Sequence, residues 1–111
     1  MPFYMQRFKF ASNSMKALIA KPKNRRDAAK KIIEAHGGKL HDYYLQFGEY
    51  DVLVIAEYPD NAAATAISMT VGASGAFSAG ETTPLITMEE AVKAMTRAGK
   101  AKAAYKPPTK S

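Results

Sequence analysis

Cysteine is absent from the 111 residues, which removes disulfides, thiolate metal sites and cysteine nucleophiles from consideration and fits a reducing cytoplasm. Long hydrophobic runs are missing too. No stretch approaches the length of a membrane span, and Met1-Pro2-Phe3-Tyr4-Met5-Gln6-Arg7 lacks the basic start and apolar run of a signal peptide. A cytoplasmic chain away from membranes is the expectation. No serine stands in a nucleophile elbow and no glycine-rich nucleotide loop follows a strand, so hydrolase and nucleotide-enzyme readings have no support.

Positive charge is missing from the middle of the chain. Residues 41–92 hold no Lys or Arg, yet they hold eight of the ten acids, among them Glu49, Asp51, Glu57 and Glu81. The net charge of +6 therefore comes from ten basic residues in 1–40 and six in 93–110. Solvated helical faces account for such a distribution. Nucleic acid is disfavoured as a partner, because Lys21-Pro22-Lys23 and Arg25-Arg26 carry no interleaved aromatics and no reader motif appears.

What is present suits one domain. Hydrophobic residues make up 47% of the chain, enough for a core at this length. Phe3 to Phe10 alternates as a strand, with Tyr4, Gln6, Phe8 and Phe10 on one face and Phe3, Met5, Arg7 and Lys9 on the other. Ser12-Asn13-Ser14 offers caps for a helix that Pro22 interrupts; a second start at Asn24, with Asp27 three residues on, leads to a stripe of Ala28, Ala29, Ile32, Ile33 and Ala35. Gly37-Gly38 ends that helix. Residues 39–47 and 51–58 read as antiparallel neighbours joined at Gly48-Glu49-Tyr50, the second strand buried on both faces. Pro59-Asp60-Asn61 starts an alanine-rich helix over 62–73. Residues 76–86 form a last strand, which Pro84 marks as an edge. Thr87-Met88-Glu89-Glu90 caps a helix over 88–97 that Gly99 stops, its apolar side carrying Ala91, Val92 and Met95. The domain spans 1–99, and 100–111 reads as a flexible basic tail.

This order defines an α+β, ferredoxin-like β-α-β-β-α-β domain with a four-stranded antiparallel sheet and an extra C-terminal helix. Two helices cover one sheet face and leave the other bare. Because several strands are apolar or aromatic on both sides, burial against a second copy is the simplest remedy. A homodimer or higher homo-oligomer is the expected partner state.

The run Phe47-Gly48-Glu49-Tyr50-Asp51, followed by a hydrophobic strand, Pro59-Asp60 and an Ala-rich helix, resembles the GYD domain family, named for its Gly-x-Tyr-Asp signature. The resemblance extends from about Tyr4 to Ala98 and includes Gly37-Gly38 and Thr82-Thr83-Pro84-Leu85. The family is similar to the dimeric α/β-barrel group, so the resemblance implies two ferredoxin-like subunits packed sheet against sheet. It implies no particular reaction.

The chemistry-bearing residues are few. His41 and Asp51 are the catalytic candidates, and Tyr43, Tyr44, Tyr50 and Glu49 are the candidate ligand-binding groups at the mouth of a barrel cavity. On a regular strand His41 faces away from Asp42 and shares a side with Lys39, Tyr43, Leu45 and Phe47. The bland alternative is hairpin chemistry, in which Gly48 makes the turn, Tyr50 covers apolar surface and Asp51 accepts nearby N–H groups. His36 reads as a favourable residue at the negative end of a helix dipole. Two histidines five residues apart match no metal spacing, so no metal is expected, and no cofactor, haem included. Three functions follow: a protein that binds a small-molecule ligand, or transforms it without a cofactor, in a dimeric barrel cavity; a non-catalytic oligomerising module; and a basic binder of nucleic acid or acidic protein.

Overall fold

The computed structural model describes residues 1–109. Lys110 and Ser111, the end of the expected tail, lie outside the described residues. The elements follow in the order β1 (Phe3–Phe10), α1 (Ser12–Ala20), α2 (Arg26–Ala35), β2 (Lys39–Leu45), β3 (Val52–Glu57), α3 (Asn61–Ala73), β4 (Phe77–Leu85) and α4 (Met88–Ala101), with a short 3-10 turn at Lys102–Ala104. The four strands form one antiparallel sheet in the order β2-β3-β1-β4. The expected ferredoxin-like arrangement is therefore present, with β1 and β3 central and the Pro84-bearing β4 at an edge.

Alternation decides the two faces. Tyr4, Gln6, Phe8 and Phe10 of β1 and Val52, Val54 and Ala56 of β3 are buried, and they form the core with Ile33 of α2 and Ala64 and Ile67 of α3. Phe77 joins it through ring contacts at 5.1 Å with both Phe8 and Phe10. One polar group lies inside. Gln6 is 1% exposed and is fully engaged: the Tyr58 hydroxyl donates to its Oε1, while its Nε2 donates to Ser68 and, at 3.5 Å, to Thr82. A buried amide with partners on both ends avoids the cost of an unmatched dipole.

The helix ends follow local chemistry. Asp60 caps α3 by accepting from the Ala63 N–H, and Thr87 caps α4 by accepting from Glu90. Gly37, with φ +78°, closes α2, and the Gly38 N–H returns to the Ile33 carbonyl. His36 donates from Nδ1 to the Ile32 carbonyl at the same end. Other boundaries differ from expectation. Asp27 makes no capping box; the Asn24 side chain accepts from the Arg26 N–H instead. Gly99 does not stop α4, which runs through it to Ala101 because its neighbours Arg97, Ala98, Lys100 and Ala101 are good helix formers. No residue of α4 is buried, and Met88, Val92 and Met95 are all exposed. The helix stands away from the body of the domain.

Candidate functional site

The sheet face without helices is built by the other half of the alternation: Phe3, Met5, Arg7 and Lys9 from β1, Leu53, Ile55 and Glu57 from β3, and Ala79, Glu81, Thr83 and Leu85 from β4. Arg7 pairs in register with Glu81, and its guanidinium donates to Glu81 Oε1 at 3.0 Å. The hairpin after β2 folds back over this pair. Tyr50 lays its ring 4.7 Å from the Arg7 guanidinium carbon and donates its hydroxyl to Glu81 Oε2 at 3.0 Å, while Thr83 donates to Oε1 at 3.2 Å. Hydrogen bonds from Arg7, Tyr50 and Thr83, with the Arg7 charge, hold the Glu81 carboxyl below its ordinary range. The same Glu81 contact raises the Tyr50 phenol. Arg7 Nε is buried and has no acceptor among the described residues.

A second polar pair lies on the same face. His41 Nε2 donates to Glu57 Oε1 at 2.6 Å, and the His41 ring sits 4.9 Å from Phe3. The strand is not regular here: the register slips between Leu40 and Asp42, so His41 is the extra residue of a bulge. This corrects the expected grouping. Tyr43 and Leu45 pair with Val54 and Val52 and so belong to the helix side, Phe47 is 96% exposed in the hairpin, and the partner of His41 is Glu57.

The remaining candidates are dispersed. Tyr50 reaches the Arg7–Glu81 pair, Tyr44 lies exposed on the open face opposite Leu53, Tyr43 lies on the opposite face, and Glu49 is exposed in the loop. Asp51 ties the hairpin to β1: its Oδ2 accepts from the Phe10 N–H at 2.9 Å, and its own N–H donates to the Phe8 carbonyl at 2.8 Å. Gly48 has φ +156°. Gly48 thus holds a positive φ in the hairpin, Asp51 accepts an N–H group from β1 and not from the turn itself, and Tyr50 covers a charged pair. Arg7, Glu57 and Glu81 were not singled out from sequence. A signal existed for Arg7 alone, a charge set between aromatic and apolar residues on one strand face.

Among the described residues no three His, Asp or Glu side chains converge as a metal would require, and no helix is long and apolar enough to cross a membrane. The fold and this face define a ferredoxin-like α+β domain with one sheet surface left open and a Gly-x-Tyr-Asp hairpin folded onto it. The chain belongs to the GYD domain family, whose model matches residues 4–95. Comparison with curated proteins and with solved structures found no match.

Proposed function

We propose that the protein acts in the cytoplasm as a homodimer, formed between open sheet faces, that binds a small molecule in the space the two faces enclose. The carrying observation is the Arg7–Tyr50–Glu81 cluster, a hydrogen-bonded polar centre whose Arg7 Nε–H is unmatched among the described residues, set among Met5, Leu53 and Ile55 on a face the chain's own helices leave bare. Charge supports a second copy as the cover. By register the face carries Arg7, Lys9 and Lys39 against Asp42, Glu57 and Glu81, so the +6 of the whole chain is not concentrated there and two copies meet without net repulsion. Apolar side chains supply the association energy, and the polar cluster supplies the recognition.

Light scattering on the full chain at micromolar concentration tests the assembly: a dimer mass is expected, and Ile55→Glu should return it to a folded monomer. A monomer mass for the unaltered chain overturns the proposal. For the ligand, a thermal-shift screen of small polar aromatic compounds on the parent and Tyr50→Phe should find compounds that stabilise only the parent. The reading as a non-catalytic oligomerising module draws on α4, whose exposed Met88, Val92 and Met95 recur at helical spacing. A dimer in which no compound distinguishes Tyr50→Phe from the parent would favour it.

A further inference from the structure

The helix side of the sheet holds a different kind of space. α2 and α3 lie over the sheet, and Ala28 and Ala29 of the first and Thr70 and Val71 of the second line a cleft of about 310 Å³. Its walls are Phe8, Val52 and Val54 from the sheet and Ile33, Ile67 and Val71 from the helices. The cleft opens to solvent past Arg25, Ala28 and Thr70, and its floor is almost wholly apolar, as ligand clefts commonly are.

The polarity of the cleft is lopsided. At the deep end, Gln6 has its amide satisfied on both sides by Tyr58, Ser68 and Thr82, so that end presents no polar group in want of a partner. At the mouth stands Arg25, the one charged residue lining the cleft, which makes no ion pair among the described residues. Tyr43 lines the cleft beside it: burial raises the Tyr43 phenol, and the nearby Arg25 charge pulls it back down. A ligand matched to these walls is apolar along its length and carries one negative charge at one end. A carboxylate meets the planar fork of a single guanidinium in a two-bond geometry. As to size, an apolar cavity of about 150 Å³ accommodates benzene, so this one suits a molecule of about ten non-hydrogen atoms.

We propose that the cleft between α2, α3 and the sheet is a binding site for a small amphipathic carboxylate, a medium-chain fatty acid or an arylalkanoic acid, with its body against Phe8, Val54 and Ile67 and its carboxylate on Arg25. The site lies on the opposite face from the proposed dimer contact. Each proposal can therefore fail without the other.

The test uses the full-length chain with methyl-labelled Ile, Val and Met, titrated with octanoate and separately with 1-octanol and followed by NMR. Octanoate should shift the methyls of Ile33, Ile67 and Val71 and leave Met5 and Ile55 on the open face unmoved. Arg25→Gln, at an exposed position whose loss leaves the core intact, should weaken octanoate by about tenfold or more and change 1-octanol by less than about twofold, since only the acid uses the charge. Three results overturn the proposal: no shift with millimolar octanoate, shifts confined to the open face, or an octanoate affinity that Arg25→Gln leaves unchanged.

Discussion

Tyr58 shows how much a single buried side chain settles. Its ring is fully buried beside Tyr4, with centroids 5.4 Å apart, and its hydroxyl donates to Gln6. Burial pushes the phenol up to about 12, so between pH 10 and 12 the folded chain keeps a proton that the unfolded chain has lost. Stability therefore falls as pH rises through that window, by ~2–3 kcal/mol in all, and levels off above it. Tyr58→Phe should remove this contribution to the alkaline loss. At neutral pH the variant should cost ~1–3 kcal/mol, because it leaves the Gln6 carbonyl oxygen buried without its donor. Denaturant titrations of both chains at pH 8 and pH 11 measure the two effects. Gln6 also marks a limit of sequence reading. Its place on the buried face was legible from alternation, but nothing in the sequence said that Tyr58, Ser68 and Thr82 would meet it, since those partners lie more than fifty residues away.

Among the elements, the hairpin between β2 and β3 and the last helix repay comparison. Asp51 closes two links to β1, one through its carboxylate and one through its backbone N–H. Asp51→Asn keeps an acceptor but loses the charge and should cost ~1 kcal/mol, with binding of any ligand on the open face preserved. Gly48→Ala should cost a similar ~1 kcal/mol for placing a Cβ at positive φ. Stabilised folding with abolished binding in Asp51→Asn would instead mark a strained functional carboxylate. Gly48 was readable in advance because turn chemistry is local, whereas the bonds of Asp51 reach Phe8 and Phe10 of β1, which no local pattern announces. The bulge at His41 was not readable either, because a slipped register depends on the partner strand and leaves no pattern in a run such as Lys39-Leu40-His41-Asp42. That slip moved Tyr43 to the opposite face and gave His41 to Glu57. The start of α4 was legible in its cap, whereas its end was not: Gly99 can terminate a helix and also be tolerated inside one. Ending the chain at Thr87 should leave the folded core intact, since no residue of α4 is buried, and should weaken any self-association in which the Met88, Val92 and Met95 stripe docks on a second copy. Circular dichroism and sedimentation across a concentration series separate the two.

The whole molecule is long for its mass. Its extents are 58 × 32 × 22 Å and its radius of gyration is 18.0 Å, where a compact chain of this length would give about 13 Å. An outlying α4 and an uncovered sheet face belong to the same description, that of a chain whose apolar surface is not all packed against itself. Sequence alone pointed to the uncovered face, because strands apolar on both sides were visible in Phe3, Met5, Leu53 and Ile55. It could not point to the cleft under α2 and α3, since a void arises from how far apart two helices settle and not from the residues of either. Consider finally the borders of the sheet. One edge strand, β2, is broken by the His41 bulge, and the other, β4, carries Pro84, which has no N–H to offer, and a further register slip opposite Phe10. Neither border is a straight template for an added strand. Growth by strand addition, the route to fibrils, is obstructed at both sides, so the open sheet surface is open to a partner through its face and not through its borders. Stacking two open faces, as in the proposed dimer, is a finite act: it leaves no sheet face for a third copy to join.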